Sequence, residues 1–490
     1  MTSPRSSLFL RAWALLGLGV LAGCAGLDPP EAPRAATVTL PAAAPRTTGV
    51  ETAAARERKR LTSLFGGEVR APATERYINA MLTRLAPASD APGEPFHVTV
   101  LNSPVVNAFA LPSGDLFVTR GLLALANDSS ELAAVMAHEI AHVTARHAAQ
   151  RAEREKDADV ISKAAIAFQS REKGNEVRAS HLISFASFSR LQELEADQVG
   201  VKTMARAGFD PFGASRFLNS LGRSAALRAA SSGRSADADH PDIAATHPST
   251  PERINRAIVA AREIGAPGLG RADRAEYLAA IDGLAFGDDP QEGFIRGRKF
   301  VHPKLGFGFI APPNLTLENT AQAVLGVNAD KSQALRLDSV RIPTSTPLET
   351  YLTSGWIEGI KPGSLEALTV NGLPGVTALA RNGDWSFRLA AIRVDAEVYR
   401  IILAAHASAE VSDGPFREAI ASFHRLAEGE DGEVKPLHIE ITTAADGDTA
   451  EAIASRMASP DRSLEMFLAL NGLERAGPLK AGERYKTIVE

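Results

Sequence analysis

The sequence predicts a multidomain α+β protein: a mainly helical region with a small β-sheet edge, then an α+β domain, then a small β-α-α-β unit. Three observations carry this. At 490 residues the chain is too long for one hydrophobic core. Between residues 51 and 265 apolar residues recur mostly at helical spacing, interrupted by two short alternating runs. Beyond residue 296 alternation dominates, and 435–490 reads strand, helix, helix, strand.

The chain is 45% hydrophobic and 23% charged, as in ordinary globular proteins. Net charge is −5 and no Lys/Arg cluster dominates any segment, so no nucleic-acid partner is expected. Arg5 and Arg11 precede an apolar run, Ala12 to Val20, too short for a lasting transmembrane helix. The run ends in Leu21-Ala22-Gly23-Cys24, which resembles a bacterial lipobox. The expectation is a lipoprotein signal peptide over 1–23 and lipidation at Cys24. Ala25, where inner-membrane lipoproteins of the enterobacterial type carry Asp, points by resemblance to the outer membrane. Cys24 is the only cysteine, which excludes an intrachain disulfide and a cysteine zinc site. No other stretch reaches about 18 apolar residues, so the chain is expected to be anchored in the periplasm, not to span the membrane. Residues 24–50, rich in Pro, Ala and Thr, read as a flexible tether.

The region 51–265 carries the chemistry. Ile78, Met81, Leu82 and Leu85 give a helix that Pro87 ends. His97–Leu101 and Asp115–Thr119 read as strands, with Asn107-Ala108-Phe109-Ala110-Leu111-Pro112 between them. Asp128-Ser129-Ser130-Glu131 is a capping box opening a helix with an apolar stripe of Leu132, Val135, Met136, Ile140 and Val143. Within that helix lies His138-Glu139-x-x-His142. Histidines four apart project from one helical face and can grip one Zn²⁺, with Glu139 beside them as general base. His147, read as continuing the same helix, would face about 140° from His142 and serve as a surface or packing residue. A second helix carries Glu193 and Asp197 on one face, with Glu195 pointing elsewhere. A His₂Glu site takes its third ligand from such a carboxylate, and Asp197 can accept a hydrogen bond from a ligand histidine. The plainer reading of the pair is a solvated helical face.

Asn107-Ala108-Phe109-Ala110-Leu111-Pro112, Phe117-Val118-Thr119-Arg120-Gly121-Leu122, His138-Glu139…His142 and Glu193-x-Glu195-Ala196-Asp197-x-x-Gly200 together resemble the CAAX-prenyl-protease/HtpX-type zinc metallopeptidase family, and within it the periplasmic lipoprotein members. The resemblance covers about residues 55–262. It implies a mainly helical zincin-like metalloprotease domain holding one Zn²⁺ per chain, with Glu193 as third ligand. It also implies that Asn107, Ala108 and Phe109 lie on an edge strand that pairs with substrate.

The Thr246-His247-Pro248…Arg253-Ile254 stretch also resembles the family. His247 is a candidate fourth ligand that gates the site, or a plain turn histidine. Arg253 is a candidate for anchoring that loop or contacting substrate or oxyanion, and His240 is a weaker candidate for the same roles. The expected oxyanion Tyr is not evident, with only Tyr77 and Tyr277 nearby. Residues 151–190 read as a helical arm and 223–245 as a loop.

Residues 266–295 read as a linker and 296–428 as an α+β domain of packing or binding type without catalytic residues. There Thr346-Pro347-Leu348-Glu349 reads as a helix start and Phe416 to Leu426 as a closing helix. Residues 435–490 resemble a LysM-like module, either binding peptidoglycan or kept for protein contacts.

The expectation is therefore a lipid-anchored periplasmic zinc endopeptidase acting on unfolded or misassembled envelope proteins. The alternative is a non-proteolytic or self-gated assembly or chaperone factor.

Overall fold

The computed structural model describes residues 52–151, 153, 189–232, 247–320, 323–355, 358–407, 413–430, 435–458 and 462–490. The readings for the signal peptide, Cys24, the tether, most of the 151–190 arm and His240 lie outside the described residues.

The chain opens with α1 (Ala53–Leu64), capped by the Thr52 side chain, and α2 (Pro72–Ala88), which has Pro72 at its first position, where a missing N–H costs nothing. Ile78, Met81, Leu82 and Leu85 form the buried stripe of α2. β1 (His97–Leu101), β2 (Ala108–Ala110) and β3 (Asp115–Thr119) make a sheet in the order β1-β3-β2. β2 and β3 are an antiparallel pair, while β1 joins β3 in parallel with His97 opposite Asp115. β2 therefore sits at an edge.

Helices α3 (Arg120–Leu125), α4 (Ser129–Thr144), α5 (Arg190–Arg206), α6 (Gly213–Ser232), α7 (Pro251–Ile264) and α8 (Arg274–Ile281) complete this layer. α4 lies at its centre, with every residue from Ser129 to His142 buried. No helix among the described residues is long and apolar enough to cross a membrane.

After β4 (Ala285–Phe286) comes a β-rich region built from β5 (Phe294–Arg296), β6 (Lys299–His302), β7 (Phe307–Ile310), β8 (Thr316–Asn319), β9 (Val324–Val327), β10 (Gln333–Arg341), α9 (Leu348–Leu352), β11 (Glu366–Val370), β12 (Leu373–Asn382), β13 (Trp385–Val394), β14 (Glu397–His406), α10 (Gly414–Ala421) and β15 (His424–Arg425). Its seven-stranded sheet runs β11-β12-β13-β14-β10-β9-β8, every neighbouring pair antiparallel. Strict alternation gives it two apolar faces. One packs Val376, Ala378 and Leu389 under Leu348 and Leu352 of α9. The other packs Leu335, Ile392 and Ile401 against Phe300, Phe307, Phe309 and α10.

Two local readings change here. Pro347, not Thr346, is the N-cap of α9, which makes no side-chain cap bond. The closing helix stops at Ala421, and His424–Arg425 leaves it to pair with β7.

The C-terminal β16 (Leu437–Thr443), α11 (Ala450–Ala454), α12 (Ser463–Asn471) and β17 (Arg484–Val489) follow the β-α-α-β order read from the sequence. β16 also pairs with β4, placing this unit on the helical layer. Ile439, Ile453, Phe467, Leu470 and Ile488 share one buried cluster with Leu132, Met136, Leu221 and Tyr277. Lys486 of β17 is fully buried, and its ammonium donates to the Ala124 and Ala126 carbonyls, both at 2.7 Å, where α3 ends.

Candidate metal centre

α4 starts where the sequence placed it. Asp128 Oδ1 accepts from the N–H groups of Ser130 (2.9 Å) and Glu131 (3.0 Å). Glu131, however, does not reach back to Asp128: its carboxylate accepts from Asn127 N at 2.9 Å. α5 starts in a full capping box between Ser189 and Gln192.

The two helices meet at Gly200. A Cβ there would lie 3.1 Å from His138 N and 3.2 Å from His138 Cα, so any side chain would push the two helices apart by a few tenths of an ångström. Glu193, Asp197 and Gly200 lie on one stripe of α5 at i, i+4 and i+7. The contact at Gly200 thus presses both carboxylates against the α4 histidines. Gly213 does the same for α6, where a Cβ would stand 2.5 Å from the Ser130 backbone.

The result is a closed polar cluster. His138, His142, Glu193 and His247 place ligand atoms within 4.8 Å of one another, and all four are buried. His138 Nε2 is 3.0 Å from His142 Nε2 and 3.2 Å from His247 Nδ1. Glu193 lies 3.5 Å from His138 Nε2, 3.4 Å from His142 Nε2 and 2.9 Å from His247 Nδ1. Tetrahedral donors about 2.0–2.1 Å from one zinc stand roughly 3.3 Å apart, so this set fits the ion and could hold it. Three imidazoles and one carboxylate are also zinc's usual donor chemistry.

Arg253 binds the acids together. Its guanidinium donates to both Asp197 oxygens at 2.7 Å and to the Pro248 carbonyl at 3.1 Å, and it pairs ionically with Glu193 Oε2 at 2.9 Å. It is 4% exposed, and these bonds tie the loop after His247 to α5. Asp197 Oδ1 also lies 3.0 Å from His138 Nδ1. Burial alone would raise the Asp197 carboxyl, but Arg253 and His138 hold it down at about 2. Burial likewise opposes charge on His138, yet Asp197 and Glu193 outweigh it and raise the imidazole to about 10. Glu193 is held well below the carboxylate range against burial by His247, His138 and His142.

Glu139 differs. It is 2% exposed, and burial raises its carboxyl. Its Oε1 has no hydrogen-bond partner among the described residues, the nearest ring nitrogen being His247 Nε2 at 3.9 Å.

The helix read as running through His147 breaks before it. α4 ends at Thr144, and Arg146 takes φ 55°, a left-handed turn that swings the chain back. His147 is fully buried, with Nδ1 2.8 Å from His142 Nδ1. Asn107, Ala108 and Phe109 lie at the sheet edge beside α4, with Phe109 between Phe65 and Phe117. Tyr277 is committed to the core, donating to the Leu123 carbonyl, and Tyr77 packs against its ring.

Residues 72–260 match the profile of Peptidase family M48. The Beta-barrel assembly-enhancing protease of Escherichia coli (strain K12) is 30% identical over 335 residues, covering 59% of this chain and 66% of that protein. The Mitochondrial metalloendopeptidase OMA1 of Schizosaccharomyces pombe is 33% identical over 187 residues, 37% of this chain and 52% of that one. OMA1 of Arabidopsis thaliana is 35% identical over 138 residues, 28% of each. The chain thus spans just under two thirds of the first relative's length, and about half or less of the other two. These matches lie with such proteases rather than specifically with the CAAX-prenyl-protease/HtpX-type branch. The likeness to family M48 runs over residues 72–260, the stretch that holds all four members of the donor cluster.

Proposed function

We propose that the chain is a zinc-dependent endopeptidase in which His138, His142 and Glu193 hold the metal and Glu139 is the general base. The observation that carries the proposal is the convergence of these donors beside a buried carboxylate with one oxygen left unpartnered. Bound there, zinc would supply Lewis acidity, polarising a peptide carbonyl and acidifying water near neutral pH. The side chains do the rest. Glu139 takes the proton of the attacking water and returns it to the leaving amine. Its raised affinity for protons, caused by burial, suits it to both steps. Asp197, clamped by Arg253, holds the His138 ring so that Nε2 faces the donor cluster. Edge strand β2 offers its backbone to an extended substrate.

His247 supports a second reading, a self-gated enzyme. Its Nδ1 stands at the fourth corner of the cluster at rest, and release of His247 opens that corner to substrate. Cys24 would anchor the protein by lipid on the periplasmic side, and the substrates would be unfolded or misassembled envelope proteins. The lipobox-like N-terminus supports the address, and the name of the Escherichia coli relative, a beta-barrel assembly-enhancing protease, supports the substrate class.

The test is cleavage of an unfolded protein such as casein, with zinc content measured in parallel. Glu139→Gln should lose at least about a hundredfold in rate while keeping its zinc. Equal rates in variant and wild type would refute the enzyme reading.

A further inference from the structure

Two histidines on one helical face serve a common metal only if both present an unprotonated Nε2, so each Nδ1 must carry the proton. For His138 an acceptor stands in place, Asp197 Oδ1 at 3.0 Å from Nδ1. For His142 the group at Nδ1 is another imidazole, His147, whose Nδ1 is 2.8 Å away. Two ring nitrogens at that distance share one proton, and one of them must accept.

The far side of His147 decides which. His147 Nε2 lies 3.4 Å from Glu195 Oε2, and an ionised carboxylate only accepts. His147 therefore bears its proton on Nε2 and turns a lone pair from Nδ1 toward His142. His142 donates from Nδ1, which leaves the lone pair on its Nε2. That atom faces His138 Nε2 at 3.0 Å and Glu193 Oε1 at 3.4 Å, inside the donor cluster. The opposite arrangement would set a His147 lone pair against the Glu195 carboxylate. It would also place a proton on the atom that must bind the cation.

We infer that Glu195 and His147 form a positioning relay that fixes the tautomer of His142 for metal binding. The inference rests on the reading of His138, His142 and Glu193 as the zinc site. It assigns a role to a carboxylate that the helical phase of α5 turns away from the metal. It also gives the two zinc histidines unequal backing: His138 faces the Asp197 carboxylate directly, and His142 faces a carboxylate only through an intervening ring.

The test is zinc affinity of the full chain, by competition with a chromogenic chelator, alongside the thermal midpoint of the zinc-free protein. The Glu195 side chain is 58% exposed, so Glu195→Ala reports on the relay without disturbing packing. It should weaken zinc about tenfold with the zinc-free midpoint unchanged, and His147→Phe should approach about a hundredfold. Glu195→Gln, whose amide oxygen still accepts, should restore most of the affinity. The double variant Glu195→Ala/His147→Phe should bind no more weakly than His147→Phe alone, since both break one chain. Wild-type affinity in Glu195→Ala would overturn the relay while leaving the zinc site standing, as would additive losses in the double variant. A wild-type chain that binds no zinc would overturn both.

Discussion

Replacing Lys486 with Met tests whether the C-terminal unit is part of the helical layer that carries the donor cluster. Lys486 has 0% exposure, and its ammonium bridges the Ala124 and Ala126 carbonyls at 2.7 Å, with Leu125 O at 3.4 Å. Met fills nearly the same volume, so the cavity contribution is small. Replacing a buried ion with a hydrophobe can be neutral when the partner is removed too. Here the partners are backbone carbonyls that no side-chain change removes. Two buried acceptors lose their donor at about 1–3 kcal/mol each, partly offset by no longer burying an ammonium. The net expectation is roughly 3 kcal/mol, or about 6–12 °C in midpoint at about 2–4 °C per kcal/mol. Calorimetry should place the loss in the transition that zinc stabilises, because α3 leads directly into α4. Lys480→Met is the control: its ammonium is paired with Glu483 at an exposed site, and its loss should leave the midpoint nearly unchanged. A Lys486→Met chain matching that control would refute the argument and make the C-terminal unit a separable appendage.

His302 supplies a pH dependence away from the metal. Burial, with Lys304 adding repulsion, lowers its imidazole to about 4, and its Nδ1 accepts from Leu305 N. The native state then binds fewer protons than the unfolded one between pH 6.5 and 4, so this stabilisation is full above 6.5 and falls away on acidification. Unfolding free energies of the wild type from urea titration should drop between pH 7 and 4.5 by more than those of His302→Gln, the difference approaching about 2–3 kcal/mol; parallel curves would count against it. Gly200→Leu should force α5 off α4 and separate Glu193 from His138, so zinc content should collapse, whereas retained stoichiometric zinc would show that the helices have other freedom.

What was legible in the sequence was what local periodicity and capping decide. The α4 cap, the two histidines four apart and the Glu193–Asp197 face follow from helical phase over a few turns. The parallel β1–β3 pairing did not, because alternation marks a strand without naming its neighbour. His147 is the packing residue that one of its two readings allows, but its contact with His142 is not legible, because helical phase ends at Thr144 and Arg146 takes a left-handed turn with no glycine to announce it. Lys486 gave no signal at all. A lysine in a strand of alternating residues reads as a solvated side chain, and only the carbonyls at the end of α3, remote in sequence, make its burial favourable.

Arg253 sets the terms on which any gate can work. It donates to Asp197, which faces His138, and pairs ionically with Glu193, a candidate ligand in its own right. It also holds the Pro248 carbonyl, one residue beyond His247. The chain after that point is pinned twice more: Ser249 Oγ donates to Leu218 O at 2.7 Å, and Thr250 caps α7 through Arg253 N. A movement that swung the whole loop outward would break the Arg253 bonds and so loosen His138 and Glu193 together. A movement that frees only the fourth corner must pivot at His247 itself or on its N-terminal side, with 248–253 left in place. The geometry therefore separates two kinds of opening. One spares the metal and the other releases it, and zinc retention during turnover tells which is used.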